Sequence, residues 1–391
     1  MPPRLVRELG EMEELVEEIL TRLPPDEPGN LLRASLACKP WRGLVASHGF
    51  RRRYADFHRT PPMLGFLHNW PKTRAEFFPT TDFLARGPDD KHQYSVKDCR
   101  HGRVLLSYKD NNQPIFVVWD PMTGGQTVLC RPEMSGASRW QASVLCAADS
   151  CSHGDCPFVV VFVTLDEQEG VAMASAYSSE TSTWCSPALT AIAPFEEEID
   201  FCNSPSVLVG DALYFLVFRE QEDEVTEDSI LKYDLGKSCL SEILLPEEEV
   251  ERASNNPILM VGEDSRLGIA HLFFYCLSVW WREVDPDGVA SWTQRIDIDL
   301  KTDLFPLGNF SIPPELGGSV EGTGIIFVIS KVGTYMIDLK SQTSKKLSSK
   351  LYQHPNVRWS LFPYVSFYYP PAVAGVVAES SNEAGHGNEK A

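Results

Sequence analysis

Five segments of the chain share one form: "IFVVWDPMTGGQTVL" (115–129), "VAMASAYSSETSTWC" (171–185), "SILKYDLGKSCLSEILLP" (229–246), "QRIDIDLKTDLFPL" (294–307) and "TYMIDLKSQTSKKL" (334–347). In each, an apolar stretch closes on an aromatic residue or Ile, Asp or Ser follows, and a polar turn leads into a second stretch. The Asp or Ser side chain hydrogen-bonds the backbone that follows and starts a turn, while glycine, where present, supplies positive φ. Each segment therefore predicts a β-hairpin. A chain that repeats a hairpin is confined to few architectures, because each unit must bury its apolar face against its neighbours.

Two of the hairpins follow another strand or strand pair: "SVLVGDALYFLVF" (206–218) comes before Tyr233, and "GTGIIFVIS" (322–330) before Ile337. The unit is thus about four strands and recurs roughly every 40 to 60 residues, the length of a propeller blade. A sixth unit can be assembled from "PPMLGFLHN" (61–69) and "LFPYVSFYYP" (361–370). Joining the two ends in one blade would close the ring and leave only short, protected edges. A β-sandwich array is the competing architecture. Residues 372–391 lack aromatics and are expected to be disordered.

The first sixty residues differ in kind. In "MEELVEEILTRLP" the apolar residues Leu15, Val16, Ile19, Leu20 and Leu23 share one helical face, the acidic residues lie mostly opposite, and Pro24-Pro25 stop the helix. Asn30 is placed to cap a second helix that ends at Pro40. A third begins near Trp41, with Leu44 and Val45 following, and Gly49 is expected to separate it from a last helix with Phe50, Tyr54 and Phe57 on one face. So small a unit has little interior. Adjacent pairs such as Ile19-Leu20 and Leu31-Leu32 cannot all point into it, so part of this surface is expected to face a partner. The alternative is that the helices cap the β region.

"EELVEEILTRLPPDEPGNLLRASLACKPWRGLV" resembles an F-box: a Leu/Ile-rich helix closed by Leu-Pro, a polar loop, then "LLRASLACKPW". Ala37 stands where the family has Val, and Gly10-Glu11 interrupts the start of the first helix. The β region resembles the kelch-like propeller of plant, especially grass, F-box proteins. The resemblance implies an α+β multidomain chain, with a helical F-box over 9–57 and an all-β propeller of about six blades over 61–371. It also implies docking on a Skp-type adaptor, and through it on cullin and RING subunits of a ubiquitin ligase, with an unknown target protein held by the propeller. Carried over, Leu15, Ile19, Leu20, Leu23, Pro24, Leu32, Leu36, Cys38, Trp41, Leu44 and Val45 divide between the module's core and the adaptor face, Trp41 being expected as the largest buried contributor.

Composition narrows the function. Of 35 basic and 54 acidic residues, 10 and 9 fall within residues 1–60, so the remainder carries 25 against 45, a balance of −20. Phosphate contacts need the opposite sign, which argues against nucleic acid. The longest apolar runs, "CPFVVVFVTL" and "IAHLFFYCLSVWW", are too short to span a bilayer and read as buried strands. No signal peptide is visible, and the ten scattered cysteines suit a reducing compartment, so cytoplasm and/or nucleus is expected. Cys146, Cys151, His153 and Cys156 have the spacing C-x4-C-x-H-x2-C, which matches no zinc finger or knuckle and suits a polar loop between two strands. His101 and His271 read as turn and strand residues, and no phosphate loop, nucleophile elbow or zincin motif occurs. A non-catalytic receptor without metal or cofactor is expected; the alternatives are a scaffold outside the ubiquitin system and a kelch-type enzyme. The acidic stretches 195–200, 219–228 and 246–251, if gathered on one rim, would favour a basic partner.

Overall fold

A computed structural model describes residues 12–370, apart from 70–74, 90, 111–112, 135–138, 148–155, 167–168, 193–197, 203, 221–227, 246–256, 286, 288, 301–312 and 349–359. Among the described residues four helices come first: α1 (Glu13–Thr21), α2 (Pro28–Ala37), α3 (Lys39–Ala46) and α4 (His48–His58). Two expectations about their ends are corrected. Asn30 lies inside α2, which starts at Pro28, where proline's missing N–H costs nothing; Asn30 donates instead to Glu27. The break between α3 and α4 is Ser47, whose hydroxyl accepts from the Phe50 N–H, and Gly49 sits within the first turn of α4.

Among the described residues, twenty-five strands then form six antiparallel sheets arranged as the blades of a ring. Blade 1 holds β1 (Met63–His68) and β2 (Glu76–Pro79). Blade 2 holds β3 (Ser95–Arg100), β4 (Arg103–Asp110), β5 (Gln113–Trp119) and β6 (Gln126–Cys130). Blade 3 runs from β7 (Arg139–Cys146) through β8 (Phe158–Asp166) to β9 (Val171–Ser178), with an outer edge split into β10 (Thr183–Trp184) and β11 (Ala188–Ala191). In blade 4 the inner edge is split, β12 (Glu198–Phe201) and β13 (Val207–Val209) both pairing with β14 (Ala212–Glu220), followed by β15 (Ser229–Asp234) and β16 (Cys239–Leu244). Blade 5 holds β17 (Ile258–Val261), β18 (Leu267–Phe273), β19 (Cys276–Val284) and β20 (Ala290–Asp299). Blade 6 holds β21 (Glu315–Val320), β22 (Ile325–Ser330), β23 (Gly333–Asp338) and β24 (Thr343–Ser348). β25 (Leu361–Val365) returns to pair antiparallel with β1, so the chain's late strand completes its first blade, as the sequence leads one to expect.

The turn chemistry is as anticipated in three blades: Asp120, Asp234 and Asp338 each accept backbone N–H bonds from the turn that follows. Blade 5 departs from it. "QRIDIDL" is its outermost strand, pairing back with β19, and the turn that precedes it is held by Asp285, which accepts from the Val289 N–H. The remainder of that segment, 301–307, lies outside the described residues, as do the tail, Gly10-Glu11, Cys151 and His153. "IAHLFFYCLSVWW" likewise is two strands, not one, with a turn at Phe274-Tyr275. Six apolar clusters fill the six seams between successive blades, so each blade buries both faces. The ring is held by non-directional burial repeated at every joint.

Candidate functional site

The helices divide their apolar residues sharply. Val16 and Leu20 of α1, Leu31 and Ala34 of α2, Val45 of α3 and Phe50 and Tyr54 of α4 form one buried cluster. Leu15 and Ile19 of α1 are 38% and 47% exposed, and Leu32 and Leu36 of α2 are 39% and 63% exposed. Each exposed pair is spaced four residues apart, which places it along one helix stripe displaced from the buried one. Pro24 is exposed, while Leu23, Cys38, Trp41 and Leu44 are half-buried. Trp41 is therefore a partial contributor, and Phe50 and Tyr54 are the large fully buried side chains instead; the Tyr54 hydroxyl donates to the Leu23 carbonyl at 2.9 Å. Burial, helped by nearby Tyr369, holds the Tyr54 phenol well above its ordinary range. Phe57 turns away from that face and is exposed, its ring standing edge-on to His58.

The unit does not close on itself. Phe367 and Tyr369, from the segment after β25, complete its core. Phe367 meets the Tyr54 ring edge-on at 5.8 Å; the Tyr369 hydroxyl donates to the Arg51 carbonyl at 3.1 Å, with the Arg51 guanidinium over the Tyr369 ring. The N-terminus of α2 is met by a carboxylate of the ring, the Gly29 N–H donating to Asp82 at 3.2 Å. Asp82 takes the place that Asn30 was expected to fill, and suits the positive end of the helix dipole. Any side chain at position 29 would collide with that carboxylate. One side of the helical unit is thus seated on the ring, as the capping alternative expects.

Where the helices meet the ring, a cavity of about 370 Å³ occupies the mouth of the central channel, bordered by Ala55, Pro61 and Phe367. Its polar wall is a network across the channel. Arg100, at the end of β3, donates to Asp98 at 2.6 Å, to Glu321 of blade 6 at 2.7 Å and to the Ser206 carbonyl of blade 4 at 2.7 Å. Asp98 also accepts from the Val144 N–H of blade 3, and Glu321 from the Leu208 N–H of blade 4. Burial raises the Asp98 carboxyl to about 6 despite the attraction of Arg100. Burial also pulls against the charge of Arg100, but Asp98 and Glu321 outweigh it and hold the guanidinium charged. With its fork occupied, Arg100 bridges blades 2, 4 and 6, and Asp98 extends the clamp to blade 3. The spacing of "VKDCRHGR" shows at most the pairing with Asp98, because the other partners of Arg100, Ser206 and Glu321, come from segments more than a hundred residues away.

His101 lies in the turn after β3 with φ of 52°, accepting at Nδ1 from the Cys146 N–H, and His271 lies within β18. Cys146 ends β7 and Cys156 stands just before β8, so the cysteine-rich segment does connect two strands. Among the described residues no group of three or more His, Cys, Asp or Glu side chains is disposed to hold a metal ion, and no helix is long and apolar enough to cross a membrane.

Residues 13–53 match the F-box domain, and residues 95–370 match the family described as "F-box protein AT5G49610-like, beta-propeller". No curated protein matches the sequence. Among solved structures, the chain is similar to a prolyl endopeptidase, at 12% identity over 65% of this chain and 34% of that one, with a TM-score of 0.33. It thus spans about a third of that protein's length. Luciferin-regenerating enzyme is similar at 11% identity, over 65% of this chain and 76% of that one, with a TM-score of 0.39. The fission yeast SREBP–SCAP binding domains are similar at 14% identity, over 73% and 69%, with a TM-score of 0.32. Likenesses so distant say nothing about activity.

Proposed function

The chain belongs to the F-box proteins whose second domain is an AT5G49610-like β-propeller, and from that premise we propose that it is a substrate-recognition subunit of an SCF-type cullin-RING ubiquitin ligase. The observation that carries this reading is the exposed apolar set Leu15, Ile19, Leu32 and Leu36, on helices whose other side is already seated on the ring. Capping the ring explains the buried side but leaves these four residues without a purpose, and apolar surface on so small a unit marks a partner site. A Skp-type adaptor, the general partner of F-box domains, is the occupant this reading assigns.

The receptor does no chemistry of its own. Phe367, Tyr369 and Asp82 fix the helices to the ring, so the adaptor end and the propeller's outer loops keep one relative geometry. A target held by the ring stays near the charged conjugating enzyme, and the gain is one of effective concentration. The test is co-purification of the full chain with a Skp-type adaptor, compared with a Leu32→Ser/Leu36→Ser variant. Adaptor capture is expected from the parent chain and loss of it from the variant, at unchanged Tm. A parent chain that captures no adaptor would leave the scaffold reading in place.

A further inference from the structure

The propeller has two faces, and the helices occupy one of them. The ends of β3 and β21 reach the channel mouth beside Ala55 and Phe367, so that face carries the turns that follow each innermost strand. Strands alternate in direction, and the turn from a blade's second strand to its third therefore lies on the opposite face. In blade 5 that turn is Phe274-Tyr275, between β18 and β19.

This turn breaks a local rule. Phe274 has φ of 53°, in the left-handed region where a bulky side chain is strained. Ser182, Ser238, Ser265 and Gln342 take such a conformation at other turns, and among the described non-glycine residues Phe274 is the one large apolar side chain to do so. Nor is the strain compensated by burial: Phe274 is 57% exposed and its neighbour Phe273 is 41% exposed, their rings set edge to face at 4.8 Å. Glycine or asparagine would make this hairpin better and keep it soluble. Strain held in place with two aromatic rings in solvent points to contact with another molecule.

Charge identifies the partner's chemistry. Phe273 pairs with Cys276 and Cys276 with Asp299, so these three side chains lie in one row on the same side of the sheet. His271, Ser278 and Asp297 form the next row, and both aspartates are exposed. On this same face the end of β14 pairs with the start of β12, Glu220 opposite Glu198; most of the acidic stretches, 195–197, 221–227 and 246–251, lie outside the described residues. An aromatic pair beside carboxylates, on a region of balance −20, repels anionic membranes and nucleic acids and attracts cations.

We propose that the Phe273–Phe274 hairpin, on the face opposite the helices, is the anchor of a docking site for a basic protein segment carrying a bulky apolar side chain. The apolar side chain lies on the two rings, and flanking Lys or Arg residues meet Asp297 and Asp299. The proposal deepens the receptor reading, on which it rests for regarding the occupant as a target.

The test uses the full chain and fluorescein-labelled degenerate peptide pools: one with fixed Lys/Arg and Leu/Phe positions, one with Ser replacing the apolar positions, and one with Glu replacing the basic positions. The first pool is expected to bind at least about tenfold more tightly than the others, as a central aromatic anchor does. Phe273→Ser/Phe274→Gly is expected to lose that advantage while Tm stays level or rises, since the strained turn is relieved. Asp297→Asn/Asp299→Asn is expected to weaken binding and flatten its salt dependence. Equal binding of the Glu pool, or unchanged binding by the Phe273→Ser/Phe274→Gly variant, overturns the proposal. Adaptor capture is measured on the same samples, so failure of the receptor reading registers separately.

Discussion

The helical unit and the ring solve the burial problem in opposite ways. Each blade is covered on both faces by its neighbours, and even the charges at the channel mouth are paired across the ring. The helices borrow Phe367 and Tyr369 to fill their core and still leave Leu15, Ile19, Leu32 and Leu36 in solvent. A closed ring has no unsatisfied neighbour. Four short helices have too little interior to hide every apolar residue they carry, and what stays outside is available for binding.

The strongest way to break the comparison is to make the ring incomplete. Arg100→Met is expected to cost about 4 kcal/mol of ring stability, because it leaves the buried Asp98 carboxylate beside Glu321 with no cation. The sign of its pH dependence follows from Asp98, already raised to about 6 and raised further without Arg100. A carboxyl with a raised folded pKa contributes stability when protonated and loses it as pH rises through that value. The gap between parent and Arg100→Met in urea midpoints should therefore narrow as pH falls from about 8 toward 5.

Phe367→Ala attacks the borrowed contact and is expected to cost the helical unit about 3 kcal/mol. Hydrogen exchange should quicken in α1–α4 while the blades keep their protection; equal loss in both would show that the two regions fold as one. The closing blade offers an effect of similar size with opposite pH sense. Burial holds His68, on β1, down to about 4, although its hydrogen bond to the Ser360 carbonyl works the other way. The unfolded chain then takes up a proton near 6.5 that the folded chain refuses, so about 3 kcal/mol is lost as pH falls from about 6.5 to 4. His68→Gln is expected to flatten that slope in chemical denaturation. The smallest effect belongs to the exposed helical surface. Ala37→Val, beside Leu36 and itself exposed, should leave Tm unchanged and tighten adaptor binding by about 1 kcal/mol, read by titration calorimetry.

The blades were legible because a hairpin is local. Asp120, Asp234 and Asp338 start turns within the next few residues, and the pattern of apolar strands shows directly. Blade 5 departs for a reason of the same kind: "QRIDIDL" has the form of a strand ending in Asp, and only pairing shows that it is the blade's outermost strand. For the helices, periodicity located the cluster, yet it could not sort Leu15 from Val16 or Leu32 from Leu31. That division depends on what each stripe meets.

By itself, then, the sequence determined the two-part organisation and the hairpin repeat, which rest on local turn chemistry and residue periodicity, and led to the joining of the two chain ends in one blade, which follows from the need of a repeated blade to close its ring without open edges. Only the tertiary structure decided which helical residues face solvent, that Asp82 meets α2, that Arg100 and Asp98 together tie four blades and that two phenylalanines stand exposed on a strained turn. Those features depend on residues far apart in the chain or on the path of the backbone, and neither leaves a periodic mark in the sequence.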